Sequence, residues 1–260
     1  MHQKIIHLAG CALALGLFMS GTAAAAESET DSDRWNWTAE LYFWGASLGG
    51  NTTSGDNVDI GIDTIIDDLK FGAMGAISAH KGRWTGFADL IYLDLDDKAS
   101  TAANVGPISL PVDAALELKG VVSTAGVGYQ VYQKDGSALH LIGGLRYLWL
   151  EADLDLAFPE LPLPLPVRPV SVDDSWTNVD AVVGLRGIAD INEAWYVSYY
   201  ADIGAGESDL TWQALAAINY RMKKVDLVLG YRYLDWEFDD FGPFDDLNLS
   251  GAFAGVKIPF

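Results

Sequence analysis

Polar and apolar residues alternate along most of this chain. The last stretch shows the pattern best. In 247–260, Ala252, Ala254, Val256, Ile258 and Phe260 fall on one side, and Gly251, Phe253, Gly255 and Lys257 on the other. A period of two marks a strand with an apolar face. Ten such segments can be read, at 37–48, 70–80, 83–95, 116–132, 138–154, 175–189, 194–203, 209–222, 225–236 and 247–260. Most reach the roughly 9 to 11 residues that a tilted membrane strand needs. A last strand leaves a free edge unless it pairs, so 247–260 is expected to close onto the first strand. The pattern therefore predicts an all-β fold. It is a closed antiparallel transmembrane β-barrel of ten strands, with eight or twelve as alternatives.

The connections sort by length. Tight turns are expected at 81–83, 134–137, 190–193 and 223–224, and long loops at 49–69, 96–115, 155–174 and 237–246. Only 204–208 is a short connection on the long-loop side. Short turns at one end and long loops at the other suit an outer-membrane barrel. Lysines mark most of the short turns. Aspartates such as Asp59, Asp63, Asp173, Asp239 and Asp246 crowd the long loops.

Charge decides which face meets lipid, because Arg or Lys at a lipid-facing midplane costs about 2 to 4 kcal/mol. Each strand has one face free of charge. The aromatics of that face gather near its ends: Trp84, Tyr129, Trp195, Tyr220 and Phe260 by the short turns, and Tyr92, Tyr147, Trp149, Trp212, Tyr231 and Tyr233 by the long loops. Two aromatic girdles are expected of a membrane barrel. A soluble β-sandwich alternates too, but does not set aromatics at both ends of its apolar face.

Composition narrows the picture further. Residues 1–26 have the form of a secretory signal peptide: Lys4, the apolar run Ile5–Met19, then Ala24-Ala25-Ala26. Leu8-Ala9-Gly10-Cys11 offers a lipidation site as the alternative. A polar leader at 27–36 and the barrel at 37–260 complete the domain plan. Cys11 is the only cysteine, so a chain cleaved after residue 26 has no disulfide and no thiolate site. A net charge of −20 argues against nucleic acid.

With these features the chain resembles the outer-membrane β-barrel proteins of Gram-negative bacteria, among them small porin-like barrels. The likeness rests on the signal peptide and on the terminal Val256-Lys257-Ile258-Pro259-Phe260, which resembles a C-terminal assembly signal. It rests also on the phrases Gly144-Leu145-Arg146-Tyr147, Gly184-Leu185-Arg186 and Gly230-Tyr231-Arg232-Tyr233. Pro259 and Ile258 depart from the commoner aromatic pattern there. The resemblance implies location in the outer membrane, contact with its lipid and lipopolysaccharide, and insertion by the outer-membrane assembly machinery. It implies no single activity.

The inward charges form the candidate site. They are Glu40, Asp89, Asp180 and Asp202 against Arg146, Arg186, Arg221, Arg232 and Lys257. Asp89, Arg146, Asp180, Asp202 and Arg232 are expected at mid-depth, and Arg186, Arg221 and Lys257 nearer the short-turn end. Such a set can be a salt-bridge network that fills the lumen, giving a structural or surface barrel. It can also line a narrow path for small solutes.

Catalytic chemistry is not indicated. His80 and His140 are the only histidines after residue 26, and both fall beside short turns. No Ser-His-Asp order and no phosphate loop is present. No cofactor and no metal site is expected, because the loop aspartates lack calcium-loop spacing. Two loops have a distinct character. Asp63–Leu69 suits one or two helical turns, with Ile62, Ile65, Ile66 and Leu69 on one side. Residues 158–170, with five prolines, suit an extended polyproline-like run.

Overall fold

The computed structural model describes residues 34–55, 57–105, 108–157 and 170–260. The expected signal peptide, residues 27–33 of the leader and the proline-rich run at 158–169 lie outside the described residues.

The elements run β1 (Asn36–Thr52), β2 (Asn57–Ile60), α1 (Ile62–Asp67), β3 (Leu69–Lys81), β4 (Trp84–Val105), β5 (Ile108–Lys134), β6 (Ser137–Ala157), β7 (Val170–Asp190), β8 (Trp195–Gly206), β9 (Leu210–Arg221), β10 (Asp226–Phe241) and β11 (Phe244–Pro259). Every strand but β2 belongs to one antiparallel ring, and β11 pairs with β1 to close it. The chain is a closed ten-strand barrel, with β2 outside the ring. Closure begins at the very end of the chain. Trp37 and Phe260 exchange both backbone hydrogen bonds, at 3.1 and 2.9 Å. The proline just before this pair does no harm. In an antiparallel ladder alternate residues bond to alternate neighbours, so the N–H that Pro259 lacks would point toward β10. That strand starts only at Asp226, opposite Lys257.

The outer wall is apolar. Leu41, Val127, Leu145, Val183 and Leu229 all point out and lie exposed. A contiguous belt of this kind is unstable in water and matches hydrocarbon. The belt and the closed ring together define a transmembrane barrel.

Three expectations about the loops are overturned. In the connections at 96–115 and 155–174, the described residues 96–105, 108–115, 155–157 and 170–174 are strand. The β4–β5 ladder continues to Val105↔Ile108, and β6 and β7 stay paired to Leu156↔Val170. At about 3.3 Å per residue, the 22 residues of β4 make roughly twice the length that a tilted crossing needs. A projecting sheet therefore stands above one end of the barrel. Ladder growth explains it: once β4 and β5 are registered in the wall, each further residue pair extends backbone pairing already in place. The connection at 237–246 is also mostly strand. β10 runs on to Phe241, β11 starts at Phe244, and Gly242 makes the turn at φ 59°.

The segment 49–69 does contain a helical turn, α1. Its Ile65 is buried and its Ile66 half exposed. The helix lies on the outer wall. A Cβ on Gly45, an outward position of β1, would sit 3.4 Å from the Ile62 Cδ1. This is where the ring is thinnest. β1 pairs with β3 only from Asn36 to Leu41, and β2 takes over that edge from Leu48. Between them the Trp44 N–H donates to the Met74 sulfur, at 3.1 Å, in place of a backbone carbonyl.

Candidate functional site

The lumen divides into two halves with opposite chemistry. Toward the projecting hairpins it is a hydrophobic core. Trp44, Ile91, Leu148, Leu234, Trp236, Phe238, Phe241, Leu247 and Leu249 pack there, all buried, with Trp176 and Phe244 against them. Strands β10 and β11 supply most of this plug. Both keep alternating past the membrane level, so their inner positions continue inward. Their hairpin tip then reaches across the mouth to β7. A Cβ on Gly242 would collide with the Trp176 indole, so only glycine fits that left-handed turn. Phe238 and Phe241 stack at 4.3 Å, and the Trp44 indole N–H donates to the Gly251 carbonyl at 3.1 Å.

Beneath the plug lie two buried ionic clusters. Arg146 on β6 faces Asp202 on β8, with both side chains at 0% exposure and 2.5 Å apart. Its guanidinium also donates to Thr211 at 2.8 Å and Thr124 at 3.4 Å. The Tyr200 hydroxyl donates to the same Asp202 oxygen. Arg232 on β10 reaches Asp89 on β4 at 2.9 Å, Gln213 at 2.7 Å and the Tyr42 hydroxyl at 3.2 Å. Tyr42 donates to the second Asp89 oxygen at 2.7 Å, and the Trp44 ring stacks over Arg232 at 5.0 Å. Arginine suits both places, because its planar fork satisfies several acceptors at once.

The other inward charges separate from these clusters. Lys257 stands 3.7 Å from Glu40 and donates to Asn219 at 2.8 Å. Asp180 is the register partner of Arg146 but does not bond to it. It accepts from Asn178 at 2.5 Å and from the Ser208 backbone N–H at 3.0 Å, and so holds the β8–β9 turn. Arg221 turns to the opposite rim, where Asp190 lies 2.5 Å away and the Tyr196 ring 4.5 Å away. Arg186 has no carboxylate within ion-pair distance among the described residues; its guanidinium lies 5.0 Å from the Phe87 ring centre.

Below the clusters the lumen is open. A cavity of about 470 Å³ runs from the short-turn end up to Arg232 and Asp89. Glu40, Thr85, Phe87, His140, Arg186, Ser198, Tyr200 and Lys257 line it. His80 and His140 meet edge to face within it, at 5.9 Å.

On the outer wall, rings pair across neighbouring strands. Trp84 meets Tyr129 at 5.0 Å and Trp195 meets Tyr220 at 4.8 Å, both beside short turns. Trp212 stacks on Tyr233 at 4.7 Å nearer the other end, where Tyr147, Trp149 and Tyr231 also face out. Phe71 adds a ring 5.9 Å from Tyr92. Trp35, Trp37 and Phe43, which lie outside the two expected girdles, are exposed on the outer wall too. Lys70, Glu117, Lys119 and Glu151 form a charge ladder across β3, β5 and β6 just above the belt, with spacings of 3.0, 3.4 and 3.2 Å.

Sequence reasoning missed the plug. The signal was present in the inward parity of Leu234, Trp236 and Leu249, which share a face with Arg232. Four aspartates between 239 and 246 disguised the strand as a loop.

The class so defined is a closed ten-strand transmembrane barrel with a sealed end and an open end. No family model matches the sequence, and no curated protein matches it. Among solved structures, the outer membrane protease OmpT from Escherichia coli is similar, at 10% identity and TM-score 0.45, covering 90% of this chain and 99% of that one. The translocator domain of the autotransporter NalP from Neisseria meningitidis shares 13% identity at TM-score 0.44, covering 89% and 90%. Ail, the attachment invasion locus protein of Yersinia pestis, shares 11% at TM-score 0.36, covering 88% and 99%. All are barrels of the outer membrane, and the likeness is one of architecture.

Proposed function

We propose that this protein is a non-conducting outer-membrane barrel with a structural or surface role. Its short turns face the periplasm, and the projecting β4–β7 sheet stands outside the cell. One observation carries this reading: the external half of the lumen is filled by side chains packed as in a soluble core, with Leu234 and Trp236 wholly buried. Interiors of that density hold few voids as large as a water molecule. An ion crossing there would also lose its hydration without polar replacement. In this reading the apolar belt meets outer-membrane lipid, lipopolysaccharide surrounds the projecting hairpins, and the strand ending at Phe260 serves insertion by the assembly machinery. This reading gives the barrel no catalytic role; His80 and His140 pair edge to face near the short turns, away from the acidic tips.

The competing reading is a narrow solute channel, favoured by the cavity at the short-turn end. Planar-bilayer recording of the refolded protein separates the two. Silence across the voltage range is expected. Stepwise, reproducible currents would reject the sealed barrel.

A further inference from the structure

We infer that the open half of the lumen is a binding chamber for a small organic monocarboxylate, held by Arg186. Charge within the chamber makes the case. Its two acids are both engaged, Glu40 with Lys257 at 3.7 Å and Asp89 with Arg232 at 2.9 Å. Arg186 is left as a cation without an acid, and a partly buried charge of this kind is unfavourable unless something pairs with it. Only the face of its guanidinium is used, against Phe87 at 5.0 Å. Its donor edge has no partner among the described residues and suits the bidentate contact that carboxylates make with arginine.

A second observation is independent of the first. His140 lines the same chamber, and its Nε2 is buried without a hydrogen-bond partner among the described residues. A turn of the imidazole would bring its N–H toward a ligand beside Arg186, whose backbone is the register partner of His140 across β6 and β7. The ligand's charge follows from the count: one unpaired cation balances one negative charge. Phosphate would bring about 1.5 to 2 charges into a space that already holds Glu40 and Asp89. The ligand's body follows from the remaining lining, where Phe87, Leu215, Val228 and Phe253 are apolar. A volume of about 470 Å³ falls in the range of sites for small organic molecules. The chamber is thus built for a carboxylate with an aryl or alkyl body, entering from the short-turn side. This holds whether or not the barrel conducts, so bilayer currents leave it untouched.

Titration calorimetry on the folded barrel in micelles tests the inference, with benzoate as probe, benzamide as its neutral isostere and inorganic phosphate as a third ligand. Saturable benzoate binding is expected at about 1 mM or tighter, with benzamide and phosphate at least tenfold weaker. Arg186→Gln should lower benzoate affinity at least tenfold while keeping heat-modifiable gel mobility, because no acid is orphaned by the change. Failure of benzoate to saturate, or benzamide binding as tightly as benzoate, overturns the inference on the unmodified protein alone. Unchanged benzoate affinity in a folded Arg186→Gln barrel overturns it as well.

Discussion

The two halves of one lumen show two ways to fill a barrel. In the sealed half, β10 and β11 turn apolar residues inward and the space closes as a core. In the open half, the same strands turn Arg232, Gly255 and Lys257 inward, and the space stays wet. Polar-in, apolar-out alternation holds only in the second. A barrel needs that alternation where lipid surrounds it. Where the strands rise beyond the membrane the outer face meets water and carries Asp235, Glu237, Asp246 and Asn248, while the inner face is free to be apolar once it finds a partner. The plug finds its partner in Trp176 across the mouth. The ionic clusters mark the border, with Arg146 and Asp202 dry on the plug side and Asp89 at 20% exposure on the wet side.

Substitutions on each side of the border should therefore differ in size. Trp236→Ala should have the largest effect, about 3 to 5 kcal/mol, as for a large core side chain cut to a methyl. The midpoint of urea unfolding in micelles reads it. A small loss there would mean that the plug is loose. Arg146→Leu comes close behind, at about 3 to 5 kcal/mol, because it leaves Asp202 charged and dry. The double variant Arg146→Leu with Asp202→Leu should recover much of that loss, and a merely additive result would show the pair to be uncoupled. Arg232→Leu should cost less, about 2 kcal/mol, since water in the chamber can reach Asp89. Equal losses for Arg146→Leu and Arg232→Leu would erase the border. Lys257→Met, whose pair with Glu40 is longer at 3.7 Å, should cost about 1 kcal/mol.

The smallest effect lies outside the wall, where two acids meet at the tips. The Asp209 carboxyl is held above its ordinary value of 3.8, first by a hydrogen bond shared with Asp239 and then by its charge. A raised carboxyl pKa means that the folded tip holds its proton more tightly than the unfolded chain. The tip is most stable below the ordinary value and loses stability as pH rises through the raised one. Asp239→Asn should slow proteolysis of the β8–β9 and β10–β11 tips at neutral pH and change it little near pH 3. An equal change at both pH values would contradict the linkage.

Much of the wall was legible in the sequence because period two is a local signal. The segment at 225–236, for example, needs only its own residues to show Arg232 inward and Leu229 outward. The closing pair was legible for a topological reason, since a last strand without a partner is an open edge. What lay hidden was non-local. Arg232 and Asp89 stand 143 residues apart, and no spacing within either strand announces that they meet. Arg146 and Asp180 are adjacent by register, yet the buried bond goes to Asp202, because Asp180 is already claimed by a backbone N–H of the next turn. The plug was hidden differently. Leu234 and Trp236 look lipid-facing by composition and inward by parity, and only the hairpin folding over the mouth decides between the two.

One lumen is thus wet below its ionic clusters and dry above them. Thiol reactivity tests it most directly. Cys11, the chain's only cysteine, is replaced by serine, and single cysteines are placed at Ser198 in the chamber and at Leu234 in the plug. A small charged methanethiosulfonate is then applied to each folded barrel in micelles. Rapid modification is expected at 198 and near-complete protection at 234 until the barrel is unfolded. Comparable rates at both positions would contradict it.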